Sequence, residues 1–114
     1  MSNPVVHFEI GSRQSEKAKA FYASLFGWKI ATQGPAEIID TASREGIQGN
    51  IAVAEHDPYV TVYIAVPDID ATLANVKKLG GKTLVPRTEI PGMGQFAWFA
   101  DIDGNALGLW KQSA

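Results

Sequence analysis

Hydrophobic and polar residues alternate in several short stretches of the chain, and such alternation predicts β-strands. In the first half of the sequence the predicted strands are residues 5–10, 28–32, 36–41 and 47–54. Apolar residues recur at intervals of three and four after the first strand, which predicts a helix over residues 16–26. Ser15 is expected to cap this helix and Gly27 to end it. The first half therefore has the predicted order strand, helix, three strands.

The second half of the sequence repeats this order. Its predicted strands are residues 59–66, 83–85, 95–100 and 106–110, and its predicted helix is residues 69–79, with Asp68 or Asp70 near the start. Residues 86–94 are rich in proline and glycine and are predicted to form a loop. A constant shift along the chain, the one that aligns the helix-ending glycines Gly27 and Gly81, places similar residue types on one another. We therefore predict one domain, residues 1–114, with two βαβββ modules at residues 5–54 and 59–111.

Each predicted module has one helix, which would cover one face of its sheet. Two such sheets side by side would curl around a shared concavity, lined by the strand residues that point away from the helices. The predicted fold class is therefore α+β, with two βαβββ modules forming a curled eight-stranded mixed sheet around a cup.

Composition narrows the classes of function. Apolar residues make up 46% of the 114 residues and charged residues 19%, a balance typical of a folded globular domain. The net charge of -2 shows no basic excess, so we expect neither nucleic-acid binding nor electrostatic attachment to membranes. The absence of cysteine excludes disulfides and thiolate catalysis. No stretch is predicted to be a secretion signal or a membrane span, and a cytoplasmic location is expected.

Three segments carry a family resemblance. They are VHFEIGSRQSEKAKAFYASLFGW, YIAVPDIDATLANVKKLGGKTLVP and PGMGQFAWFADIDGNALGLW. Together they resemble the vicinal oxygen chelate superfamily, which includes glyoxalases, bleomycin-resistance proteins and extradiol dioxygenases. The resemblance extends over residues 5 to 111 and implies a glyoxalase-like fold of paired βαβββ modules, usually in a homodimer. It also implies a cup that in many members holds one divalent metal ion.

The resemblance implies metal ligands at four positions, on the first and last strand of each module. These are typically His or Gln on the first strand and Glu on the last. His7 matches the first position, but the shift between the modules brings Thr61 to the equivalent place in the second one. On the last strands the family's Glu would fall at Gly108 and near Ala54, which precedes Glu55. One match in four does not provide the three ligands that a divalent site generally needs, so no metal or other cofactor is predicted.

Two alternatives concern these positions. A rearranged metal site made of His7, Glu9 and either His56 or Glu55 remains open, and His7 would be the ligand retained from the family pattern. Gly108 would remove a ligand and enlarge the cup, or it would simply allow the strand to bend or pack closely.

Several residues are candidates for chemistry or binding. Alternation places Glu9 and His7 on one face of the first strand, and Tyr63 would point inward from the fifth. These three are the predicted catalytic residues, because a carboxylate facing an apolar cavity can act as a general acid or base. The alternative is that Glu9 pairs with a neighbour and only stabilises the sheet. The predicted ligand-binding residues are Thr61, Phe96, Trp98 and Trp110; core or interface packing is the alternative for the three aromatic ones.

Two functions are therefore open. In the first, a glyoxalase-like protein binds a small organic molecule in its cup without the usual divalent metal, as the resemblance to bleomycin-resistance proteins implies. In the second, a lyase, isomerase or epimerase of the same superfamily acts next to a carbonyl group, with Glu9 and His7 as proton-transfer groups or atypical metal ligands. A structural or regulatory dimer is the third possibility. The expected partners are a small-molecule ligand and a second copy of the chain.

Overall fold

The computed structural model describes residues 2–33 and 36–113 and confirms the predicted α+β class. Within these residues there are eight strands and two helices, in the predicted order of strand, helix and three strands, twice over. The elements are β1 (Val5–Ser12), α1 (Ser15–Phe26), β2 (Lys29–Gln33), β3 (Ala36–Asp40), β4 (Gln48–Val53), β5 (Tyr59–Ala65), α2 (Ile69–Lys78), β6 (Lys82–Ile90), β7 (Gly94–Ala100) and β8 (Ala106–Gln112). The chain divides into two compact units, a first unit of residues 7–61 and a second unit of residues 2–6 and 62–113.

In the first unit the strands lie in the order β2, β3, β4, β1, with β1 and β4 parallel and the other pairs antiparallel. The ring of Trp28 packs between α1 and β1, where it contacts Phe8 and Tyr22 at centroid distances of 5.6 Å each. Gly27 ends α1 as predicted, with φ of 70°. The predicted cap at Ser15 is wrong: the helix begins there, and no side chain caps it.

In the second unit the strands lie in the order β5, β8, β7, β6, with β5 and β8 parallel and the other pairs antiparallel. Asp68 caps α2, because its Oδ1 accepts a hydrogen bond of 3.0 Å from the backbone N–H of Ala71. The core between α2 and the sheet contains Val66, Ile69, Leu73, Ala97 and Leu109. Ala97 and Leu109 therefore point toward the helix. Because side chains alternate along a strand, the residues next to them in β7 and β8 point to the opposite face.

The predicted loop over residues 86–94 is wrong. β6 continues through Pro86 to Ile90, and only the short turn before Gly94 separates it from β7. β6 is the outer strand of the second unit, and its register against β7 shifts between Val85 and Thr88. A proline is tolerated at a shift in an outer strand because the missing N–H is not needed there.

The spacing between equivalent strands is not constant. β8 follows β4 at a longer interval than β5 follows β1, because β6 and β7 are longer than β2 and β3. In the parallel pairs Glu9 lies opposite Asn50, and Tyr63 lies opposite Gly108. The counterpart of Gly108 in the first unit is therefore Asn50, and the predicted counterpart near Ala54 is wrong.

Candidate functional site

The first unit carries a row of four polar side chains on the face of its sheet opposite α1. Phe8 points toward the helix side, where it contacts Trp28, so the alternation of β1 places His7 and Glu9 on the other face, as predicted. Glu9 is buried, with 7% of its surface exposed. Asn50, on the neighbouring strand β4, lies opposite Glu9. The four residues are His7, Glu9, Asn50 and Tyr59, and together they are called the polar row.

Hydrogen bonds connect the polar row from end to end. The Tyr59 hydroxyl donates to Glu9 Oε2 at 2.6 Å, and Asn50 Nδ2 donates to Glu9 Oε1 at 3.3 Å. His7 Nε2 lies 2.7 Å from Asn50 Oδ1. Because the Asn50 amide gives its N–H to the carboxylate, its carbonyl faces His7, and His7 Nε2 must carry the hydrogen. Both carboxylate oxygens of Glu9 are thus engaged within the first unit.

The Tyr59 ring packs against β1 at Gly11. A Cβ added at Gly11 would overlap the Tyr59 ring, so the ring occupies the space that a side chain at this position would take. Burial of the phenol raises the pKa of Tyr59, and its hydrogen bond to Glu9 adds to the effect. Tyr59 therefore remains a hydrogen-bond donor to Glu9 well into the alkaline range.

The other residues considered as metal ligands in the first unit are Thr61, Glu55 and His56, and they do not come together with His7 and Glu9 as a group that could hold a metal ion. Thr61 is buried at the position equivalent to His7. Glu55 and His56 are exposed in the segment between β4 and β5. Across residues 2–33 and 36–113, no group of three or more His, Asp and Glu side chains is placed to hold a metal ion. The rearranged set with His7 and Glu9 is therefore not assembled.

The second unit presents an aromatic face opposite α2. Since Ala97 and Leu109 point toward the helix, the intervening residues of β7 and β8 point the other way. They include Phe96, Trp98 and Trp110, all half-buried, and Phe96 lies directly opposite Trp110. The face formed by these three residues with Tyr63 and Gly108 is called the aromatic face below. Phe96, Trp98 and Trp110, which the sequence predicts as ligand-binding residues, thus lie on one face of the second unit.

Tyr63, Gly108 and Trp98 are neighbours across three strands. Gly108 lies opposite Tyr63 on β5 and opposite Trp98 on β7. Tyr63 and Trp98 are thus two strand spacings apart, about 10 Å at the backbone, yet Trp98 Nε1 donates a 3.0 Å hydrogen bond to the Tyr63 hydroxyl oxygen. Their rings meet edge to face at a centroid distance of 5.9 Å and an angle of 89°.

This contact requires the glycine between them. A Cβ added at Gly108 would overlap the ring of Tyr63, which lies over the glycine backbone. The expectation that Gly108 enlarges the cavity is therefore wrong, because Tyr63 fills the space left by the missing side chain. The alternative explanation, a glycine that allows close packing, is correct.

Two residues of the polar row, Asn50 and Tyr59, were not predicted as site residues. Tyr59 carried a usable signal, because it alternates with Thr61 and Tyr63 and so shares their face of β5. Asn50 carried no such signal. A constant shift between the modules does not align it with Gly108, because that equivalence depends on the lengths of β6 and β7.

The order βαβββ, present twice with one helix for each set of four strands, defines a protein built from paired βαβββ modules. The chain belongs to the Glyoxalase/Bleomycin resistance protein/Dioxygenase superfamily, whose family model matches residues 5–109. The resemblance seen in the sequence is thereby confirmed.

Individual relatives agree with this assignment. The chain is 30% identical over 114 residues to CFP32 of Mycobacterium tuberculosis, which is named as a putative glyoxylase, covering 90% of this chain and 43% of CFP32. It is 29% identical over 125 residues to the anthracycline biosynthesis protein DnrV of Streptomyces peucetius, covering 92% of this chain and 46% of DnrV. The chain therefore spans less than half the length of these relatives.

Among solved structures, methylmalonyl-CoA epimerase from Mycobacterium tuberculosis has the same fold. The TM-score is 0.71 at 12% identity, and the alignment covers 96% of this chain and 88% of the epimerase. At this identity the likeness shows the fold alone. In the described part of the chain, neither helix is long and apolar enough to cross a membrane.

Proposed function

We propose that the chain binds a small organic molecule on the aromatic face of the second unit. The observation that carries the proposal is the set of half-buried rings, Phe96, Trp98 and Trp110, on the sheet face opposite α2. Aromatic side chains provide large, rigid apolar contact areas, and such surfaces are typical of small-molecule sites. Thr61, which is buried on β5 in the first unit, is proposed separately as a ligand-binding residue.

The names of relatives support a small organic ligand. CFP32 is named as a glyoxylase, and DnrV is named for anthracycline biosynthesis. Both names refer to the chemistry of small organic compounds, although the chain spans less than half of each relative.

The proposal includes no metal ion, because the donors at the family's ligand positions do not fit one. With the register corrected, those positions are His7, Asn50, Thr61 and Gly108. Gly108 has no side chain, and a threonine hydroxyl is a weak ligand. His7 Nε2 and Asn50 Oδ1 are hydrogen-bonded to each other. Elemental analysis of protein purified without chelator tests this point: a stoichiometric divalent ion that is lost in His7→Ala would contradict it.

A thermal-shift screen tests binding. Small aromatic and keto compounds are expected to raise the melting temperature, because a ligand that binds only the folded state stabilises it. Trp98→Ala is expected to abolish the shift. Trp28→Ala is the control, since Trp28 lies on the helix side of the first unit. If no compound stabilises the wild-type protein, the binding proposal fails and a structural or regulatory role is favoured.

Proton transfer next to a carbonyl group is the second candidate function, and the polar row favours it. A buried carboxylate, Glu9, is connected to His7 through Asn50, an arrangement that can hold and position a proton. Tyr63 is retained as a third candidate group. Each carboxylate oxygen of Glu9 accepts one of these hydrogen bonds, from Asn50 or Tyr59, and each has a second lone pair for a substrate proton.

Deuterium exchange distinguishes this candidate from binding alone. A lyase, isomerase or epimerase of this kind would incorporate solvent deuterium next to the carbonyl of a bound keto compound. The exchange should disappear in Glu9→Gln. Binding of the compound without deuterium incorporation would leave the binding function and rule out proton transfer on that compound.

A homodimer is the proposed assembly. α1 exposes three large apolar side chains, Phe21, Leu25 and Phe26, at 60%, 57% and 58% of their surface. Contiguous exposed apolar residues often mark an interface, and a second copy is the occupant we infer. Light scattering is expected to give twice the mass of the chain, and Phe21→Glu should shift it toward the monomer. A wild-type monomer would contradict the assembly.

A further inference from the structure

Lys82 lies at the edge of the aromatic face, and we propose that it makes this face selective for organic anions, in particular aromatic carboxylates. This inference rests on the proposed binding function and adds the charge of the ligand to it. The rings of the face would contact the apolar part of the ligand, and the Lys82 ammonium would contact its carboxylate.

The register of β6 against β7 places Lys82 on the same side of the sheet as the aromatic face. Lys82 lies directly opposite Ala100, and residues opposite each other in a sheet direct their side chains to the same face. Ala100 follows Trp98 by two residues in β7, so both point away from α2. Two residues span about 7 Å along a strand, and the lysine side chain is long and flexible. The ammonium can therefore reach the carboxylate of a ligand that contacts Trp98.

β6 extends the aromatic face beyond Lys82 with uncharged side chains. Val85 lies opposite Trp98, and Thr88 lies opposite Phe96. Lys82 is thus the one charged residue among those that β6 pairs with the β7 residues of this face. Its charge stands at one end of a row of otherwise apolar or neutral groups.

The Lys82 ammonium is open to a ligand. The side chain is exposed, and within residues 2–33 and 36–113 it forms no ion pair with an Asp or Glu. Asp101, which follows Ala100, accepts hydrogen bonds from the N–H groups of its own turn instead. A ligand carboxylate would therefore not have to displace an acidic side chain from Lys82.

The strands place no acidic group on this side of the sheet. Among the described residues of the second unit's strands, Glu89 is the only Asp or Glu, and it lies opposite Gln95. Gln95 precedes Ala97 by two residues, so Glu89 points to the α2 side. Arg87, the other cation of β6, pairs with Asp70 of α2 at 2.8 Å. The charge beside the aromatic face is thus positive, which complements an anionic ligand and disfavours a cationic one.

Calorimetric titration with two matched probes tests the inference. 2-Naphthoate and 2-naphthamide have the same ring system and nearly the same shape, and they differ in charge. The wild-type protein is expected to bind 2-naphthoate more tightly. In Lys82→Gln the ratio of the two affinities should fall about threefold, the size of contribution that a partly exposed ion pair makes. Lys82→Arg keeps the cation and should keep the wild-type ratio.

Lys111→Gln is the matched control. Lys111 is also an exposed lysine of the second unit's sheet, but it lies opposite Gln95 and so points to the α2 side. The substitution changes the net charge by the same amount as Lys82→Gln, and the wild-type ratio is expected to remain. Equal falls in the two variants would show a general electrostatic attraction and overturn the assignment to Lys82.

The remaining outcomes are distinct. An unchanged ratio in Lys82→Gln would overturn the inference and leave Lys82 with the common role of a lysine on an outer strand, which is to discourage pairing with another chain. Tighter wild-type binding of 2-naphthamide would also overturn it. If neither probe binds but other compounds stabilise the protein, the inference is overturned and the binding proposal stands. If no compound binds, both are overturned.

Discussion

Asn50 and Gly108 occupy equivalent positions in the two units. Each lies on the last strand of its unit and faces the first strand in a parallel pair, Asn50 opposite Glu9 and Gly108 opposite Tyr63. In the first unit this position carries an amide that connects a carboxylate with His7. In the second unit it carries no side chain and is covered by an aromatic ring. One backbone arrangement therefore supports a polar row in one copy and an aromatic face in the other.

Gly108→Ala is expected to lower the free energy of unfolding by about 1–3 kcal/mol, the usual cost of inserting a methyl group into a filled space. The added Cβ would overlap the Tyr63 ring and force it away from Trp98. Urea unfolding measures the change. Gly46→Ala is the matched control, since its Cβ would find Thr41 Oγ1 at 3.7 Å, an ordinary contact. Equal effects of the two substitutions would contradict the packing of Tyr63 over Gly108.

Asn50→Leu is expected to cost about 1–3 kcal/mol of stability, because His7 and Glu9 each lose a hydrogen-bond partner in a partly buried setting. Asn75→Leu, on the exposed side of α2, serves as the control, and leucine is the better helix former there. Chemical denaturation of both variants gives the comparison. An Asn50→Leu protein as stable as the wild type would show that the polar row does not contribute to folding.

Tyr59 should make stability fall at high pH. Its pKa is raised in the folded protein by burial and by the hydrogen bond to Glu9, so the folded state keeps the phenol proton when the unfolded chain begins to lose it. The contribution is complete below about pH 10 and is lost as the pH rises from there toward the folded value. Unfolding free energies measured across this range should fall more steeply in the wild type than in Tyr59→Phe. Parallel curves would contradict the raised pKa.

Asp101 should contribute stability that is lost in acid. Its carboxylate accepts hydrogen bonds from the Asn105 side chain and backbone and from the backbone N–H of Asp103, and these bonds lower its pKa. The contribution is present above about pH 4 and disappears as the pH falls through the folded value. Asp101→Asn should therefore be less stable than the wild type near neutral pH, with a difference that shrinks in acid.

The control for Asp101 is Asp103→Asn, which removes the same charge from the same turn without removing the carboxylate that accepts these bonds. Urea unfolding at neutral and acidic pH compares the two variants. If both lose stability equally at every pH, the hydrogen bonds of Asp101 are not the cause.

The sequence was sufficient for the order of elements and for the face on which His7 and Glu9 lie, because hydrophobic periodicity and a helix-ending glycine are local signals. The sequence did not predict the extent of β6, because Pro86 locally favours a loop. The proline is tolerated within the strand because β6 is an outer strand. The equivalence of Asn50 and Gly108 was also not predicted, because the register of the last strand depends on the lengths of other strands in the unit. Likewise, the partners of Glu9 come from β4 and β5, far along the chain.

The Tyr63 ring over Gly108 also limits how this lineage can change. A glutamate at position 108 would be the residue type that the family resemblance implies there, but its Cβ would overlap a ring already in that space. Mutations that introduce this carboxylate are therefore expected to be deleterious until Tyr63 has first been replaced by a smaller residue. The order of the two substitutions, rather than either one alone, decides whether a carboxylate can be accommodated at position 108.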